Sequence, residues 1–226
     1  MARRRIYLLR HADVSYVSDS GRLIRPDEAI LTARGAAQSG ALADLFRSVK
    51  FDRAITSGLP RTIDTAQRIL AGRPDAPQIE SWPELAEARS GRLRDIAPEA
   101  LEAVFLAAFR GATPESARLL GGERIGELFD RALPALQRLV DDRSWDCALL
   151  VAHGGINRVI ISYALTGART FLGHIEQAPA CVNVLDVGDN WIVRAVNFRL
   201  DDPLHTEGRA TTMEQLLEQL RPFLPR

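Results

Sequence analysis

Apolar positions recur along this chain in two rhythms, short unbroken runs and stripes at helical spacing. Ile6-Tyr-Leu-Leu9 is a continuous run of the kind made by a strand buried on both faces, and Cys147–Ala152 is another. Arg53–Thr56 predicts a further short strand, and Gln78–Ser81 one more. Helical stripes lie between these runs. Thr32 can cap a helix whose apolar face is Leu42, Leu45, Phe46 and Val49, and a second helix near 60–71 is stopped by Gly72 and Pro74. From Gly122 onward, Ile125, Leu128, Phe129, Ala132, Leu136, Leu139 and Val140 keep helical spacing, while Pro134 among them predicts a kink or a break. Ile156–Leu165 reads as a helix ended at Gly167, and residues 211–221 as a short amphipathic one. The runs Ala180–Val187 and Trp191–Phe198 flank Gly188-Asp-Asn, which predicts a hairpin. Residues 12–31 have no clear period and read as a long loop, and 82–121 as helix and loop without a strand.

Strands alternating with helices predict an α/β fold in three layers. The expected sheet is central and mostly parallel, with an antiparallel edge and helices on both faces. Residues 1–226 form one domain in this reading, with a helical insertion around 92–120. Within the insertion, Phe105, Leu106 and Phe109 suit either a pocket wall or a core-facing stripe, and the core reading is preferred.

Composition narrows the class. With 46% hydrophobic and 26% charged residues, the chain is neither disordered nor collagen-like. No apolar run approaches the roughly 18 residues of a membrane span. Met1-Ala-Arg-Arg-Arg resembles the start of an export signal, but Ile6–Leu9 is too short for its apolar part, so a cytoplasmic protein with no membrane partner is expected. Cys147 and Cys181, both in apolar surroundings, fit buried thiols in a reducing compartment. The zero net charge conceals 28 Arg against a single Lys, Lys50. These Arg are scattered over every segment and form no basic stripe, so a nucleic-acid partner is not expected.

Chemistry collects at the predicted strand ends, where open α/β sheets hold their ligands. The first strand ends in Arg10-His11, the second in Ser57 with Arg61 four residues on, the third near Glu84 and Glu87, and Cys147–Ala152 in His153-Gly154. Two His, two Arg and one or two carboxylates make a small cationic pocket with an acid beside it. That set suits a phosphate, because guanidinium groups donate in a planar fork and a helix N-terminus adds backbone N–H groups. Two His and a Glu are also ordinary zinc ligands, but no His-x3-His or cysteine pair at ligand spacing occurs, and no metal is expected. Ser57 suits equally a helix cap and a ligand contact. His174 and His205 are read as surface or structural residues.

Six segments in order carry a resemblance. They are Leu8-Leu-Arg-His, Leu31-Thr-Ala-Arg-Gly-Ala-Ala-Gln38, Ser57-Gly-Leu-Pro-Arg61-Thr-Ile-Asp-Thr-Ala66, Leu85-Ala-Glu87-Ala-Arg-Ser-Gly91, Gly121-Gly-Glu123 and Val151-Ala-His153-Gly154. Together they resemble the histidine phosphatase superfamily, and within it the phosphoglycerate-mutase-like branch. The resemblance implies that His11 attacks phosphorus and becomes phosphohistidine, with Arg10, Arg61 and His153 holding the equatorial oxygens. It implies that Gly154 lets its N–H approach the phosphate, and that Glu87 protonates the leaving oxygen and then activates water. Glu84 is the rival acid. No metal or other cofactor is implied, and the expected partner is a small phosphorylated substrate.

The family usually continues Arg-His-Gly-Glu-Thr/Ser-x-x-Asn, whereas this chain reads Arg10-His-Ala12-Asp13-Val14-Ser15-Tyr16-Val17. Val17 cannot supply the family's amide, leaving Ser15, Ser18 or water to take its place. Thr32 and Gln38 match the family but are read as helix-start and packing residues. Mutases of the branch need basic residues after the acid for a second anionic group. Here that segment offers Arg89, Arg92, Arg94, Arg110 and Arg118, with no Lys and no adjacent Arg pair. Water is therefore the expected acceptor, and the expected activity is a metal-independent phosphomonoesterase. Mutase-type transfer and a non-catalytic phosphate-binding relative are the alternatives. The edge hairpin could extend a sheet across a homodimer.

Overall fold

Two strands from distant parts of the chain, β1 (Arg4–Arg10) and β5 (Cys147–Ala152), lie parallel at the centre of a six-stranded sheet. The structure is a computed structural model, and it describes residues 3–18, 20–91, 96–206 and 208–223. On one side of this pair follow β2 (Arg53–Thr56) and β3 (Ile79–Ser81), both parallel. On the other side β7 (Val182–Val187) runs antiparallel to β1, and β8 (Trp191–Phe198) closes the edge as a hairpin with β7. The order is β3-β2-β5-β1-β7-β8.

The two-residue period of a strand explains why the central runs are apolar throughout. Ile6 and Leu8 of β1 join Ala148, Leu150 and Ala152 of β5 under α4 (Ile125–Asp141) and α5 (Gly154–Thr166). Leu9, Leu149 and Val151 face the opposite layer, α1 (Ala33–Leu45) and α2 (Pro60–Leu70), through Leu42, Ala66 and Ile69. Both faces of these strands are covered by helices, so no polar alternation appears between Ile6 and Leu9 or along Cys147–Ala152.

Local chemistry sets the ends of the helices. Thr32 Oγ1 accepts from the Gly35 amide and caps α1. Gly72 and Gly167 adopt positive φ just beyond α2 and α5, the left-handed conformation that glycine takes without strain. Of the expected face of the first helix, Leu42 and Phe46 are buried, but Leu45 is exposed and Val49 lies beyond the helix. Further on come α3 (Leu101–Leu106) and, near the C-terminus, α6 (Thr212–Leu220), capped by Thr211.

Three expectations need correction. The helix containing Pro134 is unbroken over Ile125–Asp141. Pro134 sits on its exposed side, where the Asp130 carbonyl that loses its amide partner can bond water instead. Residues 82–121 do contain a strand, the two-residue β4 (Ala112–Thr113), which pairs with β6 (Phe171–Leu172). A pairing this short leaves no period in the sequence. Cys147 is only half-buried, whereas Cys181 is fully buried and its thiol is pushed up to about 12 by burial.

Candidate active site

The C-terminal ends of β1, β2 and β5 open into one cavity of about 840 Å³, lined at its floor by Arg10, His11, Arg61, Glu87, Gly154 and Gly155. His11 follows β1 directly, and its neighbour Ala12 donates its amide to Thr65 Oγ1 on α2. Ala12 has no positive φ, so its replacement of the family glycine costs no backbone strain. The His11 ring is buried, and its Nδ1–H donates to the Ala12 carbonyl at 2.8 Å. That bond assigns the proton to Nδ1 and leaves the Nε2 lone pair free. Burial holds the His11 pKa well below its ordinary value, and the charges of Arg61 and Arg10 lower it further.

Arg61 belongs to the first turn of α2 and is almost fully buried. One Nη donates to the Pro26 carbonyl and the other to His153 Nδ1 at 3.2 Å. An arginine has only donors, so His153 Nδ1 must accept, and its Nε2–H donates to Ser57 Oγ at 2.7 Å. Both nitrogens of His153 are thus engaged by protein, and the ring stands 5.2 Å from that of His11, centroid to centroid. In this arrangement His153 also braces Arg61 from behind. Ser57 braces His153 in turn and touches Thr62 Oγ1 at 3.1 Å, while the N-cap of α2 falls at Leu59. Burial, followed by Arg61, His11 and Arg10, keeps His153 neutral as well.

Arg10 reaches the Gln177 carbonyl through Nη1 at 2.6 Å. Among the described residues, two buried side-chain nitrogens have no hydrogen-bond partner, Arg10 Nε and Arg61 Nε. Leaving a buried donor unpaired costs about 1–3 kcal/mol, more for a charged group, so two such donors on one cavity mark a place for an oxyanion. The N-terminus of α5 adds its dipole there. A Cβ on Gly154 would lie 3.8 Å from Arg10 Nε and 3.1 Å from Arg158 Nη1.

Glu87 lies against the same helix terminus. Both of its oxygens accept from the Gly155 amide at 3.2 Å, and Oε1 also accepts from the Ala88 amide at 2.9 Å. Glu84 is placed elsewhere, paired with Arg138 at 3.1 Å away from the cavity. Ser15 is not on the cavity wall either. Its hydroxyl is spent on the Val17 amide and carbonyl in a local turn, and Val17 bridges to Leu23. His174 and His205 are both exposed.

Sequence reasoning missed three contributors. Gly155 is required because a Cβ there would come within 2.5 Å of Glu87 Oε1. Arg131 of α4 donates to the carbonyls of Glu84, Ala86 and Glu87 at 2.6–3.2 Å and grips both oxygens of buried Glu123. Burial works to raise the Glu123 pKa, but bonds from Arg131 and the Arg89 amide outweigh it and the carboxyl is held low. Arg158 is buried beside Gly154, and burial lowers its pKa to about 10. Arg131 and Arg158 are thus placed around the site although the arginines are scattered over every segment of the chain. Arg92 and Arg94 lie outside the described residues. Among the described residues no three His, Cys, Asp or Glu cluster as metal ligands would.

A buried histidine and two guanidinium groups with unpartnered donors thus come together at the strand ends of an α/β sheet, an arrangement chemically suited to a phosphoryl group. Residues 6–199 match the family model of the histidine phosphatase superfamily (branch 1), and the chain belongs to that family. It is 29% identical over 207 residues to the adenosylcobalamin/alpha-ribazole phosphatase of Salmonella typhimurium, covering 86% of this chain and 96% of that one. It is also 29% identical over 200 residues to a metal-independent phosphoserine phosphatase of Arabidopsis thaliana, with 83% and 79% covered. The fold is shared with the alpha-ribazole phosphatase of Shigella flexneri (TM-score 0.66, 22% identity, 85% and 96% covered). It is shared too with a mycobacterial glucosyl-3-phosphoglycerate phosphatase (TM-score 0.69, 20% identity, 86% and 99% covered).

Proposed function

We propose that this chain is a phosphatase that hydrolyses a small phosphomonoester through a phosphohistidine at His11. The observation that carries the reading is the pairing of a neutral His11, its proton fixed on Nδ1, with the two unpartnered Nε–H groups of Arg10 and Arg61. The relatives named as phosphatases support the class of reaction.

His11 Nε2 attacks phosphorus in line with the ester oxygen, forming an N–P bond as the P–O bond breaks. Arg10, Arg61 and the Gly154 amide at the start of α5 offset the charge on the equatorial oxygens, which is most of what phosphoryl transfer requires. Glu87 acts as the general acid, giving a proton to the departing alkoxide. The resulting carboxylate then takes a proton from water as the water attacks phosphorus. The N–P bond breaks, His11 is restored and phosphate leaves.

Water rather than a second phosphorylated molecule is the acceptor in this reading. Each cation on the outer wall has an acid or a carbonyl beside it. Arg25 pairs with Glu28 and Asp27, Arg158 bonds the Gly154 and Gly173 carbonyls and faces Glu176, and exposed Arg89 lies 3.6 Å from Glu123. Among the described residues nothing comparable to the Arg10–Arg61 pair stands ready for a second anion.

Brief mixing with a radiolabelled aryl phosphate, followed by alkaline quench, tests the reading. An acid-labile, base-stable phosphoenzyme is expected in the unaltered protein and absent from His11→Asn, which can keep the bond to the Ala12 carbonyl. A label that survives in His11→Asn would assign the nucleophile elsewhere, and release of phosphate without any labelled protein would remove the covalent step.

A further inference from the structure

The phosphate floor takes up only a small part of the cavity. A volume of about 840 Å³ lies in the range of roughly 300–1,000 Å³ that holds a drug-sized ligand. Above the floor the walls change character. Phe105 and Phe109 form one side, Leu119 and Leu120 continue it, and Met213 and Leu216 of α6 face in from above.

The α6 stripe explains how that roof is made. Met213, Leu216, Leu217 and Leu220 recur at helical spacing on one face. Leu217 and Leu220 are buried against Leu101, Phe105 and Leu106, which fixes the rotation of the helix. Met213 and Leu216 are left half-buried, on the cavity side of that contact. The helix is also tied to the phosphate floor. The Thr212 amide donates to Glu176 Oε1 at 3.0 Å and its hydroxyl to the Gln177 carbonyl at 3.2 Å, the same carbonyl that receives Arg10 Nη1. The apolar roof and the cationic floor are therefore tied together through the Glu176 carboxylate and the Gln177 carbonyl.

We propose that the alcohol part of the substrate is a bulky, ring-sized apolar group, held between the Phe105–Phe109 wall and the Met213–Leu216 face of α6. This proposal rests on the phosphatase reading above. Such a group removes water from the partly exposed Phe109 and Leu120 on one side and Met213 and Leu216 on the other, with buried Phe105 backing the first wall, and the polarizable Met213 thioether suits a ring face or edge. A small polar alcohol would leave both walls wet.

Two alkyl phosphates with alcohols of similar acidity isolate the effect, ethyl phosphate and 2-(1-naphthyl)ethyl phosphate. Their kcat/KM values are expected to differ by about 30-fold or more in favour of the naphthyl ester, the order that burying one aromatic ring produces. Met213→Gln and Leu216→Gln keep a helix-forming side chain of similar length and place an amide against the ring. Each is expected to narrow the ratio to about 3-fold, mostly by raising KM for the naphthyl ester. Equal kcat/KM for both esters, or a ratio unmoved in both variants, overturns the proposal while hydrolysis itself upholds the phosphatase reading. Calorimetry with ethylphosphonate and 2-(1-naphthyl)ethylphosphonate separates the two ideas further. Tighter binding of the naphthyl compound without turnover of either ester supports the apolar chamber and overturns the phosphatase reading. Equal binding of the two phosphonates overturns the chamber.

Discussion

The floor and the roof of the cavity are built by different rules. The floor comes from strand ends, and its side chains are locked to one another: Ser57 to His153, His153 to Arg61, Arg61 to the Pro26 carbonyl, His11 to the Ala12 carbonyl. The roof comes from the 12–31 loop, the segment around α3 and Leu119–Gly121, and α6, which meet mainly through apolar contacts. Charge is concentrated where the backbone is most constrained, and apolar surface where segments outside the sheet converge. This division lets one phosphoryl-transfer floor serve different alcohols, because changing the roof need not disturb a strand.

Glu87 stands between the two, and changing it should break the comparison most severely. Glu87→Gln keeps the shape of the side chain and removes the proton. Turnover of alkyl phosphates is expected to fall about 10²–10⁴-fold, with a much smaller loss on aryl phosphates, whose leaving groups need little protonation. Equal losses on both would move the acid to another residue, whereas Glu84→Gln should stay within about twofold of the parent on either. Gly155→Ala is the steric counterpart. Its Cβ would fall 2.5 Å from Glu87 Oε1, and displacing the carboxylate by about 1 Å can cost about 10²-fold. Steady-state rates on the two ester types measure both variants.

The same division decided what could be read from the sequence. Arg10-His11, Ser57 with Arg61, and His153-Gly154 are near neighbours in the chain because each spans one strand-to-helix turn, so the floor was legible as local motifs. The partners of His153 were not, since its two nitrogens are claimed by residues 92 and 96 positions away. Arg131 was hidden for two reasons. It is one of 28 Arg, and it reaches 44–47 positions back to three carbonyls that carry no sequence signal. The α6 helix was visible as an amphipathic stripe, but the stripe alone could not show that one half faces core and the other half the cavity. Buried Phe105 likewise serves both as core and as wall, the two readings its spacing had left open.

Arg131 offers a sharper cut, because it holds the acid's segment without touching the cavity. Arg131→Met would leave three carbonyls unpaired and the Glu123 carboxylate buried without its main cation. A loss of order 3 kcal/mol in stability is expected, read from urea unfolding. If Arg131 positions Glu87, alkyl phosphate turnover should also fall about tenfold, with aryl phosphates hardly affected. Arg131→Lys should rescue little, since one ammonium cannot match a guanidinium fork that serves two carboxylate oxygens and three carbonyls. Equal losses on both esters in the folded variant would make Arg131 a stabilising residue only.

The smallest effect concerns the floor alone and depends on pH. His11 and His153 are both held well below their ordinary value of 6.5, first by burial and then by the neighbouring guanidinium groups. In the unfolded chain these rings begin to bind protons as the pH falls through about 6.5, while the folded rings remain neutral. The unfolded state then carries more protons, so stability must decline as pH drops below that value and level off only once the folded rings protonate. Above it, neither ring contributes a slope. Unfolding midpoints measured from pH 7.5 to 5 should therefore stay flat and then fall. His11→Asn, which keeps a donor for the Ala12 carbonyl but cannot titrate, should show roughly half the decline. An unchanged slope in His11→Asn would mean that His11 is no harder to protonate folded than unfolded, and the neutral nucleophile would lose its electrostatic basis.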